Sequence, residues 1–419
     1  MNSNCEIEKF FNSDSLNDEF FTDIVEKKLK VSRETFKINL IIVSEATGKN
    51  ENYASSVYRV KIKIKLNESQ EIKNIDVILK VSIENSENDE YKVFPRERFV
   101  YEEILSNFEK IWFEKSGEKI QFGPQGLKFT TDPYEIIVLD DLKANGYVML
   151  DRKVGLNVQQ TKILLSKIAK FHSLSALRYQ KEGILNELLN RSSAPMDVNS
   201  DYGKSFVRMF LELIKALERF GDCEIYVEKF KKFDTTTVFN SMNDDSPLKC
   251  SFRVLNHGDF WINNIMYKFV ENEAVDVLLV DFQLCVWGSP WIDLFNILLT
   301  SIHDDFRTKY FDEFIEFYHQ ELSKALEIIG YEKHIPTLQE IYDDMMEKSL
   351  LAAMVPSYLM YIKFDGKDSV RLSETMSETD NEKLSQLYEE IYKCENTMKS
   401  IKLLLPFLNE RGFLEFKKS

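Results

Sequence analysis

The stretch that decides the fold is residues 253–296, RVLNHGDFWINNIMYKFVENEAVDVLLVDFQLCVWGSPWIDLFN. An apolar approach leads to the tripeptide His257-Gly258-Asp259, and Asn264 follows five residues after the aspartate. The stretch therefore places a carboxylate and an amide close together in the chain, directly before a pair of apolar runs.

Those two runs, residues 265–269 and 275–280, are separated by a polar turn, and the second run ends at Asp281. Such a pattern predicts a β-hairpin in which positions whose numbers add to about 545 face each other. Asn264 and Asp281 would then lie side by side at the open end of the hairpin, with Asp259 one loop away. Two oxygen-bearing side chains beside a further carboxylate suit a Mg²⁺ site next to a catalytic base.

Composition and charge restrict the class of protein. A chain of 419 residues is too long for one simple core, so we expect two lobes. A net charge of −15 argues against a nucleic-acid partner, which normally meets a basic face. No run approaches the roughly 20 apolar residues that span a bilayer, and the N terminus lacks a signal-peptide pattern. We expect a cytoplasmic protein with no membrane partner, whose five scattered cysteines are reduced thiols.

The chain changes character near residue 142. An amphipathic helix is predicted over residues 15–30, followed by a β-rich region with period-two strands at 57–66 and 74–81 and a buried strand at 134–142. A turn-rich segment comes next, and helices dominate beyond it. We therefore predict an N-terminal lobe of residues 1–142 and a mostly helical C-terminal lobe of residues 143–419.

Two charged residues of the first lobe suggest a paired site. Lys80 ends the second strand on the face opposite the apolar one, and Glu97 falls in the first turn of a predicted helix that starts near Pro95. Alone, each is an ordinary surface charge. The stretch from Ala46 to Ser55, which contains Gly48, can fold over phosphates through its backbone N–H groups or form an ordinary turn.

Taken in order, these pieces resemble the ecdysteroid kinase-like family of insects, a branch of the choline-kinase and aminoglycoside-phosphotransferase relatives of protein kinases. HGDFWINN and VDFQ, at this spacing, resemble the catalytic and metal motifs. VILKV resembles the lysine strand, and FPRERFVYEEIL the helix that carries the glutamate. ENYASSVYRV is similar to the phosphate-loop stretch.

The resemblance implies an α+β, bilobal protein-kinase-like fold with a small β-rich N-lobe and a large helical C-lobe. It implies a kinase that uses ATP and Mg²⁺ and acts on the hydroxyl of a small-molecule alcohol, because the chain after Asp281 lacks a peptide-binding activation segment. The roles that it implies are a catalytic base, two metal ligands and three residues of the nucleotide site: Asp259; Asn264 and Asp281; Lys80, Glu97 and Ser55.

Other prominent residues are expected to support the site. His257 would bond the backbone, Gly258 would allow the turn, and Asp293 would brace the catalytic loop from within the core. His172 is interpreted as a buried polar contact. The backbone of residues 139–141 is expected to meet adenine.

Two alternatives remain at this stage. A choline- or ethanolamine-type kinase would need an anionic or aromatic box for a quaternary ammonium group, which the aromatic-rich C-terminal half could supply. A non-catalytic pseudokinase that binds small ligands would keep the fold without turnover. The sequence leaves the acceptor and the oligomeric state open.

Overall fold

The computed structural model describes residues 16–46, 55–82, 92–131, 135–183, 186–190, 198–234, 236, 252–364 and 381–415. The chain forms two compact units. The first comprises residues 1–104 and 123–147, and the second comprises residues 105–122 and 148–419. Each unit has its own core and is described separately.

The first unit is built on an antiparallel five-stranded sheet in the order β1-β2-β3-β5-β4. Alternating apolar and lysine positions in β2 put one face in the core and the other toward solvent, as the period-two pattern predicts. The strands of this sheet are Phe36–Glu45 (β1), Ser55–Leu66 (β2), Ile72–Ser82 (β3), Gly126–Thr130 (β4) and Ile136–Asp140 (β5).

An N-terminal helix, α1 (Asp18–Leu29), completes the core of the first unit. The predicted amphipathic pattern is confirmed, since Phe20, Phe21, Ile24 and Val25 are buried in one cluster with residues of the sheet. Asn17 caps the helix by accepting a hydrogen bond from the backbone N–H of Phe20 at 2.9 Å.

The helix that carries Glu97 is longer than one regular element. It runs as α2 (Val93–Phe99), a π-helical turn (Val100–Ile104) and α3 (Leu105–Ser116), and α3 already belongs to the second unit. Because α2 begins at Val93, before Pro95, Glu97 lies just beyond the first turn where we had placed it.

The second unit is mostly helical, as predicted. A capping box of Asn157 and Gln160 starts its longest helix, α4, and this confirms the predicted helix start. After α3, its helices are Val158–Glu182 (α4), Asp201–Arg219 (α5), Glu224–Phe230 (α6), Trp291–Thr300 (α7), Asp304–Arg307 (α8), Phe311–Ile329 (α9), Leu338–Glu347 (α10), Ser349–Lys363 (α11), Asn381–Lys393 (α12) and Glu395–Glu410 (α13).

Two small sheets interrupt these helices. One pairs β7 (Val254–Asn256) with β10 (Val286–Gly288), and the other has the order β6-β8-β9, with strands Tyr147–Met149 (β6), Ile265–Val270 (β8) and Glu273–Leu279 (β9). Aromatic side chains pack behind them, with ring centroids 5.3 Å apart for Phe108 and Phe171. None of the helices in the described part of the chain is long and apolar enough to cross a membrane.

Candidate functional site

The loop that carries Asp259 follows a buried strand and turns at a glycine. Gly258 adopts a φ of +82°, and a Cβ added there would lie 1.9 Å from the backbone oxygen of Leu284. Any other residue would be both strained and in collision, so the loop requires glycine here. This confirms the expected role of Gly258 in the turn.

Asp293 stabilises the loop of residues 257–259 through its carboxylate. One carboxylate oxygen accepts the backbone N–H of His257 at 2.7 Å, and the other accepts that of Gly258 at 2.9 Å. Asp293 is fully buried in α7 and also meets Nε2 of His172 at 3.2 Å. Nδ1 of that histidine lies 2.8 Å from the hydroxyl of Tyr318. The supporting roles expected for Asp293 and His172 are confirmed by these contacts.

Asn264 lies directly against Asp259. Its side-chain amide donates to Oδ2 of Asp259 at 2.7 Å and to the backbone oxygen of Asp259 at 2.9 Å. Asn264 is buried at the end of a short 3₁₀ turn, Ile262–Asn264, which folds the chain back after the loop. Because the amide nitrogen is committed to Asp259, the arrangement fixes both side chains in one geometry.

The hairpin that follows brings Asp281 to this group, with a small shift from the expected register. Asn264 pairs with Val280 rather than Asp281, through a 3.0 Å hydrogen bond from the N–H of Val280 to the oxygen of Asn264. The reason is that the turn lies earlier than expected, at Glu271 and Asn272, both with positive φ, so that Val270 faces Glu273. A bulge at Val275 recovers part of this shift, and Asn264 then faces Val280. Asp281 comes next and has a left-handed backbone, φ 68° and ψ 62°.

Two further contacts fix the end of the hairpin. Nε2 of His257 lies 3.0 Å from the backbone oxygen of Val280, and this contact connects the loop of residues 257–259 to the hairpin. The backbone contact expected for this histidine is therefore present. The side-chain amide of Gln283 donates to Oδ2 of Asp281 at 3.3 Å. Sequence reasoning gave Gln283 no role, although its position two residues after Asp281 in the VDFQ motif was a usable signal.

The electrostatics of the site centre on Asp259. Burial raises the pKa of Asp259 to about 7, and the negative charge of Asp281 adds to the rise, while hydrogen bonds from Asn264 and Trp261 oppose it. A carboxyl with a pKa near neutrality can exchange a proton under physiological conditions. The carboxyl therefore has the proton affinity of a general base.

The same group of residues fits a divalent cation. Asn264 and Asp281 offer amide and carboxylate oxygens, the hard donors that Mg²⁺ prefers. The repulsion between Asp259 and Asp281 that raises the pKa of Asp259 is the kind that a bound cation relieves. Within the described residues, no group of three or more His, Cys, Asp or Glu side chains is placed to hold a metal ion, so a cation here would depend on the amide oxygen of Asn264 and on ligands from the substrate.

The first unit contains the second predicted pair. Nζ of Lys80 on β3 lies 2.8 and 2.7 Å from the two carboxylate oxygens of Glu97 on α2. Both residues are buried. A buried lysine bound by both oxygens of one glutamate is held with its charge in a single position. The structure thus joins the two residues that the sequence suggested as a pair, although each alone has the pattern of an ordinary surface charge.

The structure describes only some of the other residues predicted for the nucleotide site. Ser55 is buried as the first residue of β2 and pairs with Ser82 of β3. Residues 47–54, including Gly48 of the predicted phosphate loop, lie outside the described residues. At the end of β5, the side chain of Asp141 accepts a 2.5 Å hydrogen bond from Nε of Arg59.

Comparison with known proteins identifies the family to which the chain is similar. A sequence profile of the ecdysteroid kinase-like family matches residues 49–331, more than half of the chain. No curated protein matches the sequence.

Solved structures give weaker likenesses. An ethanolamine kinase of Plasmodium vivax is 13% identical with a TM-score of 0.40, over 94% of this chain and 91% of that one. An aminoglycoside 2'-phosphotransferase-IIIa in complex with GDP is 12% identical with a TM-score of 0.37, over 91% and 99%. An aminoglycoside phosphotransferase of Streptomyces rimosus is 9% identical with a TM-score of 0.33, over 71% and 92%. Likenesses with such low scores carry no argument about function. The family profile is the comparison on which the assignment of the family rests.

Proposed function

The chain belongs to the ecdysteroid kinase-like family, and from this premise we propose that it is an ATP-dependent small-molecule kinase. It transfers the γ-phosphate of ATP to a hydroxyl group of a largely apolar acceptor such as an ecdysteroid or a hydroxylated xenobiotic. The observation that carries the proposal is Asp259, which is bound by Asn264 and has its pKa raised to about 7 beside a second carboxylate.

Asp259 is proposed to orient the acceptor hydroxyl and take its proton. The hydroxyl oxygen forms a bond to the γ-phosphorus, the bond from that phosphorus to the β–γ bridging oxygen breaks, and ADP leaves. Phosphoryl transfer asks little covalent work of a protein beyond such positioning. The hydrogen bond from Asn264 supports this role, because it holds Oδ2 of Asp259 and so fixes the orientation of the carboxyl group.

Asn264 and Asp281 are proposed to hold Mg²⁺. When bound, the ion neutralises charge on the phosphates of the nucleotide. The oxygen donors of these two side chains support the assignment. The 3.3 Å hydrogen bond from Gln283 further orients the carboxylate of Asp281.

Lys80 is proposed to bind phosphate oxygens of ATP, with Glu97 as the residue that positions it. The two contacts between them, at 2.8 and 2.7 Å, hold the lysine as a charged donor in the buried part of the first unit. Ser55, at the start of β2, is proposed to contribute to the same nucleotide site.

The test is incubation of the purified full-length chain with ATP, Mg²⁺ and a panel of alcohols. The panel contains ecdysteroids, other sterols, phenolic glycosides, choline and ethanolamine, and products are read by the mass added on phosphorylation. We expect phosphorylation of an apolar member and none with the Asp259→Asn variant. Turnover confined to choline or ethanolamine would replace the proposed acceptor class. Absence of turnover on the whole panel, without stabilisation by MgATP, would indicate a non-catalytic protein.

A further inference from the structure

We propose that a lysine-lined cavity in the second unit is a binding site for small amphipathic anions, namely phosphate or sulfate esters with an apolar body. The cavity has a volume of about 850 Å³. It is open to solvent and is lined by Trp112 of α3, the segment 118–121 that follows α3, the first half of α4, and single residues of β9 and α9. None of its lining residues belongs to the proposed phosphotransfer site.

The first argument is charge. Four lysines line the cavity, Lys119, Lys162, Lys167 and Lys170, against the acidic residues Glu118 and Asp276. Glu313, next to the cavity, pairs with Lys162 at 2.6 Å, so three carboxylates face four ammonium groups. This local positive excess is set in a chain whose net charge is −15. Clustering like charges costs free energy in the folded protein unless an anion is bound among them.

The second argument is that two of these charges are not neutralised within the protein. Among the residues that the structure describes, neither Lys119 nor Lys170 forms an ion pair. Nζ of Lys170 instead lies 5.3 Å from the ring centroid of Trp112, which steers the ammonium group along the wall of the cavity. Lys119 is exposed and Lys170 is half-buried, and an anion in the cavity would give both a partner of opposite charge.

The third argument is a rigid anchor at the base. The side chain of Lys167 is only 10% exposed, and its Nζ donates to the backbone oxygen of Gln121 at 2.7 Å and to Asp276 at 2.9 Å. Burial lowers the pKa of Lys167, and the charge of Lys170 adds to that effect while Asp276 opposes it. These contacts hold the cavity in shape before a ligand arrives, which reduces the entropic cost of binding.

The apolar walls decide the kind of anion. Ile120, Ile163 and Phe317 line the cavity together with the lysines. An inorganic ion alone would leave this surface in water, and a neutral apolar molecule would leave the lysines without a partner. The volume lies within the range of about 300–1,000 Å³ that is usual for small-molecule sites. An ester that joins an aromatic or alicyclic body to an anionic group satisfies both features.

The probes for the experiment are 2-naphthyl phosphate, 2-naphthyl sulfate, neutral 2-naphthol and inorganic phosphate. Each is titrated into the full-length chain by calorimetry, at low and high salt, and the number of sites is counted. The test variant is Lys119→Met/Lys170→Met, which removes charge but keeps the apolar stems. Lys324→Met is the matched control, because Lys324 is an exposed lysine of α9 outside the cavity. Thermal melts establish that all variants are folded.

We expect one site that binds a naphthyl ester, more weakly at high salt, and binds naphthol and inorganic phosphate at least tenfold less tightly. Affinity at that site should fall about tenfold or more in the double variant, since two charge-assisted contacts are lost, and should be unchanged in Lys324→Met. Preference for phosphate or for sulfate identifies the anion. The Asp259→Asn variant should bind the ester normally, so the outcome does not depend on phosphotransfer. Equal binding by the double variant, equal binding of naphthol, or no ester binding would overturn the proposal.

Discussion

The pair formed by Lys80 and Glu97 offers the sharpest energetic prediction. Their side chains are 10% and 1% exposed, and their closest atoms are 2.7 Å apart. Coulomb attraction at that distance is about 6 kcal/mol for an effective dielectric constant of about 20. Removing two ions from water costs several kcal/mol for each, so the net contribution of the intact pair is small. Breaking the pair is different, because it removes the opposite charge that offsets the desolvation of the remaining buried ion.

We therefore expect Glu97→Gln to lower the free energy of unfolding by about 3 kcal/mol. The double variant Lys80→Met/Glu97→Leu removes both charges and keeps the volume, so its stability should lie within about 1 kcal/mol of the parent chain. Urea unfolding followed by circular dichroism measures both. If the double variant is less stable than Glu97→Gln, the electrostatic reasoning is wrong.

The same double variant separates stability from nucleotide binding. MgATP should raise the unfolding free energy of the parent chain, by about 2.7 kcal/mol at a concentration of 100 times Kd. The double variant should remain folded and show no such rise, since it lacks the proposed phosphate-binding lysine. Undiminished stabilisation by MgATP would remove Lys80 from the nucleotide site.

Three further predictions concern the catalytic loop. Gly258→Ala should lower activity at least tenfold and stability by about 2 kcal/mol or more, because the new Cβ meets a backbone oxygen at 1.9 Å. Gly330→Ala, where φ is +72° and nothing lies within 4 Å, should cost only about 1 kcal/mol, and an equal loss at both positions would contradict this account. Asp293→Asn should lower the free energy of unfolding by about 3 kcal/mol in urea titrations and slow transfer more than it weakens MgATP binding, since an amide cannot accept the N–H groups that both oxygens now accept. Because the folded-state pKa of Asp259 is raised to about 7, the folded chain retains its proton over a pH range in which the unfolded chain loses it. Stability linked to this group is thus lost as pH rises from about 4 to 7. A pKa raised from about 4 to about 7 corresponds to about 4 kcal/mol, so without Mg²⁺ or nucleotide the unfolding free energy of Asp259→Asn should gain up to about 4 kcal/mol on that of the parent chain between pH 4 and pH 8. A constant difference would refute the pKa assignment.

Much of the site follows from local sequence patterns. Alternation along β2 and β3 placed Lys80 on the face opposite the apolar residues, and helical spacing put Glu97 on the next element. The capping pattern at Asn157 gave the start of α4. These features are encoded within a few residues, where propensity and periodicity act directly.

Features that depend on contacts between residues far apart in the sequence were harder to predict from the sequence. The turn at Glu271 and Asn272 lies earlier than expected, and the bulge at Val275 only partly restores the pairing, so the partner of Asn264 differs by one residue from the prediction. Register is set by turn and ladder geometry as well as by the apolar pattern. The π-helical turn beyond Glu97 left no mark in the apolar spacing. Lys119 and Lys170 line the same cavity although they are far apart in the sequence. The local sequence around either lysine therefore did not predict the charge of the cavity.

The most direct measurement of the central claim is single-turnover transfer of labelled γ-phosphate to an acceptor found in the screen. The parent chain and Asp259→Asn are compared, with MgATP affinity measured for each by calorimetry. Loss of a general base predicts a transfer rate lower by about 10²–10⁴-fold. MgATP affinity should change by less than about threefold, because Asp259 is assigned to the acceptor and not to the nucleotide. Transfer by Asp259→Asn within threefold of the parent rate would contradict the assignment of Asp259 as the base.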